Sequence, residues 1–182
     1  VVIQVAREPS LTPEDFEKSE ILADILVFDN YSPKKQLYGG SYIFINSVPL
    51  FSNIYKRGET KNINLPIIDQ NDFHPVMRFV NMRNLTLSHA LDIDWTDEST
   101  ILLEAKNHKI VGIVSKQNLN CIIVGFDIFQ SDWPLKLSFP IFIANSVEWF
   151  MSQNVSNFVV GKTISIKKPA KQASDKSEEI FL

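Results

Sequence analysis

The chain has 182 residues, 45% of them hydrophobic and 21% charged, with a net charge of −3, the proportions of a globular domain able to bury a core without disulfide staples. That balance argues against a nucleic-acid binder, because holding phosphates takes a concentrated basic surface; the one basic cluster, Lys167, Lys168 and Lys171, is followed at once by acids and reads as solvated tail. A single cysteine, Cys121, excludes an internal disulfide and a multi-cysteine zinc site, and no apolar run reaches the roughly 18 residues of a membrane span.

In chain order, Val1 to Val5 reads as a short β-branched strand that begins without an initiator Met, which predicts a piece of a longer polypeptide. Thr12 is placed to cap a helix with Pro13 at its first position, and Phe16, Ile21 and Leu22 give it an apolar face. The continuous run Asp24 to Asp29 suits a strand buried on both faces, as in a parallel sheet, so the first three elements follow a β-α-β order. Asn30-Tyr31-Ser32-Pro33 is a turn, and Gly39-Gly40 leads into a second buried run, Tyr42 to Ile45. The polar stretch from Ser52 to Asn64 predicts a loop. Pro66-Ile67-Ile68 predicts a short edge strand, and His74 to Val80 one or two helical turns opened by Pro75.

Leu85-Thr86-Leu87 and Ala90 to Trp95 alternate. The clearest β signal lies between Ser99 and Asp127. There Thr100 to Ala105 and Ile110 to Ser115 form a hairpin through Lys106 to Lys109, and Cys121 to Asp127 is a further apolar strand. Ser138 caps a helix to about Gln153, apolar around most of its girth and therefore packed on the sheet. Residues 158–166 have strand periodicity, and 167–179 read as a polar tail. The organisation expected is one α/β domain over 1–153 and a β-type extension with tail over 154–182.

Nucleophilic chemistry needs a thiol or hydroxyl beside a base, usually on a sharp strand-to-helix turn. Cys121 opens an apolar strand without flanking glycines and reads as a buried structural thiol. Ser47 stands where an elbow nucleophile would, but Ile45 to Pro49 lacks glycine, and Val48-Pro49 obstructs a following helix. His74, His89 and His108 have no metal-ligand spacing, and Asp92 to Glu98 lacks the glycine and distal glutamate of a calcium loop. Neither a metal nor a cofactor is expected. The most distinctive stretch, Phe126 to Leu135, sets Asp127, Asp132 and Trp133 just beyond a strand's carboxyl end, where open α/β sheets place their crevices. With Asp29 and His74 these residues define the candidate ligand or interaction crevice; the plainer reading is that both carboxylates cap turns while Trp133 covers the core.

The blocks Asp24 to Pro33, Gly40 to Asn46, His74 to Val80, and Gly125 to Trp149 with its Asp132-Trp133-Pro134-Leu135, in this order, resemble the class I glutamine-amidotransferase-like domain of bacterial aerotolerance-regulator (Bat-like) membrane proteins. Such proteins carry transmembrane helices and often a von Willebrand type A domain. The resemblance implies a flavodoxin-like, mostly parallel sheet with flanking helices, to which the antiparallel hairpin read above is added, and it implies that the first strand and helix of such a domain are missing from this chain or lie upstream of it. In that family's true enzymes a Cys on a Gly-flanked elbow pairs with a His and a Glu. This sequence departs from the pattern at Ile45 to Pro49 and has no histidine around Ser131 to Pro134, so no catalytic role carries over.

The expectation is a pseudoenzyme: a non-catalytic scaffold or protein-interaction domain of a membrane-anchored bacterial protein of the aerotolerance or envelope-stress type. Its partners are expected to be proteins of the same membrane complex, its membrane segments to lie outside this chain, and its position to be periplasmic. The alternatives are a divergent hydrolase or small-ligand binder using the strand-end acids, and a module that homo-oligomerises through its N-terminal strand.

Overall fold

A computed structural model describes residues 13–18, 23–37, 39–50, 54–61, 65–106, 108–116 and 118–155. The expected strand at Val1 to Val5, the cap at Thr12, and everything proposed for 156–182 lie outside them. In chain order the elements are α1 (Pro13–Lys18), β1 (Ile25–Asp29), β2 (Gly40–Ile45), β3 (Tyr55–Lys61), β4 (Ile67–Gln70), β5 (His89–Asp94), β6 (Thr100–Ala105), β7 (His108–Lys116), β8 (Leu119–Val124) and α2 (Ser138–Val155). Single 3-10 turns occur at Pro75–Met77, Ile128–Gln130 and Trp133–Leu135. The domain boundary expected after residue 153 falls inside the last turn of α2.

Six strands form one sheet in the order β1-β2-β8-β7-β6-β4, and β3 pairs with β5 in a separate antiparallel ribbon. The β1-β2 and β2-β8 pairs are parallel; β8-β7, β7-β6 and β6-β4 are antiparallel. The sheet is therefore mixed α/β, and the mostly parallel sheet expected from the sequence is corrected. The reason is connection length. Two residues, 106–107, join β6 to β7, and two, 117–118, join β7 to β8. Links that short can only make hairpins, whereas parallel neighbours need a crossover of about a dozen residues. The hairpin itself stands where the sequence placed it.

Side chains alternate across the sheet and divide the interior in two. Ile43 and Ile45 of β2, Ile122 and Val124 of β8, and Val111 and Ile113 of β7 join Phe142, Trp149 and Phe150 of α2 in one buried cluster. The opposite residues, Tyr42, Phe44, Cys121, Ile123 and Val114, pack with Leu91 and Ile93 of β5 and with Phe16 of α1. β5 thus covers much of a face where helices were expected. Glycines admit it: a Cβ on Gly112 would sit 2.7 Å from the Trp95 ring, and one on Gly125 would meet Ile93 at 2.7 Å and the Ile110 carbonyl oxygen at 2.9 Å.

Two further expectations are corrected. Among the described residues β1 is an outer strand, not a doubly buried one, with Val27 56% exposed. The supposed loop from Ser52 to Asn64 contains β3, whose polar residues pair along β5. Asp92 and Asp94 lie within β5, so only the part after Trp95 of that acidic stretch is a turn, closed by the Ser99 N–H donating to the Thr96 carbonyl at 3.0 Å.

Candidate functional site

The three parallel strands end at one edge, where Asp29 lies level with Ile45 and Ile45 level with Val124. Beyond that line the chain turns sharply twice. Asn30 and Asn46 both take positive φ, +53° and +48°, a left-handed conformation that costs most side chains about 1–2 kcal/mol and that Asn tolerates better than most. Each leans over the next strand: the Asn30 N–H donates to the Ile45 carbonyl (2.9 Å) and the Asn46 N–H to the Val124 carbonyl (2.8 Å). Their side chains continue the series, Asn46 Nδ2 donating to Asn30 Oδ1 at 2.6 Å and Asn30 Nδ2 to Asp29 Oδ1 at 2.9 Å. Desolvation at this edge raises the Asp29 carboxyl above its ordinary range, the charge of Asp127 adds to the rise, and the Asn30 amide opposes it. Two oxygens here, Asn46 Oδ1 and the Oγ of the buried Ser47, are enclosed without a hydrogen-bond partner.

Asp127 and Asp132 hold the connection that follows β8. Asp127 caps the first 3-10 turn, its Oδ1 accepting the Phe129 N–H at 2.9 Å and its Oδ2 the Gln130 side chain at 3.3 Å. Asp132 accepts the Thr86 N–H at 2.9 Å and pairs with Lys136 at 3.1 Å. Burial would raise the Asp132 carboxyl, but Thr86 and Lys136 together outweigh it and hold the group below its usual range. Trp133 does not line a crevice. It is buried, with its ring 5.1 to 5.6 Å from those of Phe126, Phe139 and Phe142. The hydrophobic payload of an indole packed against Phe139 and Phe142 of α2 outweighs the cost of leaving its N–H unpaired.

His74 belongs to another part of the molecule. Its Nδ1 accepts the Val76 N–H at 3.2 Å, capping the turn opened by Pro75, and its ring lies 5.7 Å from Trp149. Trp149 is 11 residues along α2 from Ser138, roughly 16 Å down the helix from the end beside the carboxyl edge. Burial lowers the His74 pKa, which favours the neutral imidazole. Of the five residues expected to form a crevice, then, Asp29 and Asp127 share an edge, Asp132 braces its flank, and Trp133 and His74 are placed elsewhere.

The reactive groups are scattered as well. Cys121 is fully buried on the face away from α2, and burial pushes its thiol up to about 12, far from the thiolate a nucleophile requires. Ser88 and His89 touch at 3.1 Å, and the Gln130 carbonyl, accepting from the Ser88 hydroxyl at 3.0 Å, competes with the imidazole for that proton. His108 faces Asp92 at 3.7 Å. Among the described residues no group of three or more His, Cys, Asp or Glu side chains could hold a metal ion.

Asn30, Asn46 and Ser47 were not in the crevice drawn from sequence. The available signal was an Asn immediately following each of two buried runs, where a left-handed turn is needed to leave a strand.

What the fold defines is a mixed α/β domain with a parallel half and an antiparallel half. No family model matches the chain, and no curated protein matches it. Among solved structures it is similar to a cytoplasmic protein, STM3548 from Salmonella typhimurium, at 10% identity with a TM-score of 0.56, over 76% of this chain and 74% of that one. At that identity the likeness concerns the fold alone.

Proposed function

We propose that this chain is a non-catalytic scaffold or protein-interaction domain of amidotransferase-like descent, carried by a membrane-anchored bacterial protein of the Bat-like type. One observation carries the reading. The connection after β8 is fastened by Asp127, Asp132 and Lys136, yet it presents Phe129, Leu135 and Leu137 to solvent at 75%, 90% and 83% exposure. A fixed segment displaying large apolar side chains is what a protein contact requires, since little ordering entropy is lost on binding. The carboxylates that a strand-end enzyme would use act here as fasteners. Among the described residues no helix is long and apolar enough to cross a membrane, so on this reading the anchor belongs to other parts of the protein.

The test has two arms. The purified chain, assayed with glutamine and a simple ester, is expected to stay at background; turnover abolished by Cys121→Ser or Ser47→Ala would overturn the proposal. In the native membrane, cross-linking to complex partners is expected to fall on Leu135→Glu with Leu137→Glu, and an unchanged pattern counts against it. The domain's membrane side, periplasmic on the resemblance, is decided by protease access in spheroplasts.

A second reading is favoured by the raised Asp29 carboxyl and the unpartnered Asn46 and Ser47 oxygens: a small-ligand site at the carboxyl edge. A thermal-shift screen over metals, nucleotides and sugars tests it, because a ligand that binds only the folded state raises Tm. No shift in any class removes this reading.

A further inference from the structure

One bulky residue stands in a conformation that its own packing does not offset. Phe79 takes φ +60°, the left-handed region that large side chains rarely occupy, and it is 79% exposed. The backbone on either side of it is fixed by amide side chains from two other elements. Asn145 of α2 donates its Nδ2 to the Val76 and Arg78 carbonyls at 3.1 and 2.7 Å. Gln70, the last residue of β4, donates to the Val80 carbonyl at 2.8 Å. Val76, Met77 and Val80 are buried, and the Val80 N–H closes on the Met77 carbonyl at 3.0 Å. Phe79 therefore projects from between two anchored peptides. The Arg78 guanidinium lies over its ring, 4.9 Å from the centroid. Among the described residues no carboxylate pairs with Arg78, and Asp72 of the same connection is taken by Arg83 at 2.6 Å.

A strained, exposed residue whose surroundings hold it in place points to a contact outside the chain. A lipid surface is fluid and accepts a ring from any backbone conformation, so it gains nothing from an immobile base, and a net charge of −3 disfavours an anionic membrane. A shaped protein pocket does gain, because a ring fixed before contact loses less freedom on binding. The unpaired Arg78 charge beside that ring calls for a carboxylate opposite it. The position also continues the surface described above. Asn145 lies seven residues along α2 from Ser138, about 10 Å, and the exposed Leu135 and Leu137 come just before that start.

We propose that Arg78 and Phe79 form a docking point for a protein whose surface offers an apolar pocket of aromatic size with a carboxylate at its rim. This rests on the interaction-domain reading and extends the Leu135 and Leu137 surface along α2. Two measurements test it. In the purified chain Phe79→Gly relieves the left-handed turn and removes a ring the fold does not bury, so Tm is expected not to fall and to rise by up to roughly 4 °C. A fall would make the ring structural and overturn the proposal. In the native membrane Arg78→Lys keeps the charge and supplies an amine that a zero-length carbodiimide joins to an adjacent carboxylate. The product expected links position 78 to an Asp or Glu of one different protein, and adding Phe79→Ala is expected to weaken it at least about fivefold. No product, a link only within this chain, or a product of two copies of this chain overturns the proposal. So does flotation of the purified chain with phosphatidylglycerol vesicles that Phe79→Ala abolishes. If Leu135→Glu with Leu137→Glu lowers cross-linking to partners while Phe79→Ala leaves it unchanged, the docking point fails and the interaction reading stands; if neither lowers it, both fail.

Discussion

At the scale of single residues, the carboxyl edge depends on two asparagines in a conformation most side chains avoid. Asn46 makes a backbone turn at φ +48° and donates its side-chain amide to Asn30. The two contributions separate by substitution. Asn46→Gly keeps the turn and loses the amide bond, whereas Asn46→Ala loses both, so Ala is expected to cost roughly 1 kcal/mol more than Gly. Urea unfolding with an unchanged m-value measures the difference, and equal stabilities would show that the turn is not strained.

At the scale of elements, the long connection from β4 to β5 is pinned near its middle by the side chain that ends β4. The buried Gln70 donates to the Val80 carbonyl at 2.8 Å and accepts the Met82 N–H at 2.9 Å. Gln70→Leu preserves bulk but orphans both backbone groups, and is expected to cost about 2 kcal/mol and to speed tryptic cleavage at Arg78 or Arg83. The same connection contains a pH response. The folded-state pKa of His74 lies below its unfolded value because of burial, so the unfolded chain binds the proton more readily. The stability this group contributes is complete above the unfolded value of about 6.5 and is lost as pH falls from there through the lowered folded value. His74→Asn, which can still cap the turn, is expected to flatten that acid-side decline. A decline of the same slope in the variant would assign it to other groups.

At the scale of the whole molecule, the sheet separates two packed layers, and Cys121 lies in the one away from α2 with no exposed surface. Its thiol, pushed up to about 12, can react only after opening. Labelling by an aromatic disulfide is therefore expected to track global unfolding, its rate rising with denaturant in step with the loss of β7–β8 structure. Rapid labelling under native conditions would mean that the layer carrying β5 opens by itself.

Much of this architecture could be read from residues in order. The β6–β7 hairpin, the turn at Pro75, the edge strand after Pro66 and the helix from Ser138 each follow from local chemistry: short polar links, a fixed φ, a long apolar run; the Ser138 hydroxyl, expected to cap its helix, is instead buried without a hydrogen-bond partner. Strand direction and neighbours were less legible, because a run such as Ile25 to Phe28 reports apolar character without saying which strands will lie beside it. The site divided in the same way. Asp127 as a cap and Trp133 as core were readable from their turn and their size. The meeting of Asn30 with Asn46, and the placing of His74 beside Trp149, came from strand pairing and helix packing between residues far apart in the chain. Sequence alone determined most of the strands, turns and helices, since those depend on neighbours a few residues away, but not β3, whose polar residues become a strand only by pairing with β5. Only the tertiary structure decided which of them meet, because the hydrophobic burial that drives the layers together is non-directional and its partners are chosen by shape.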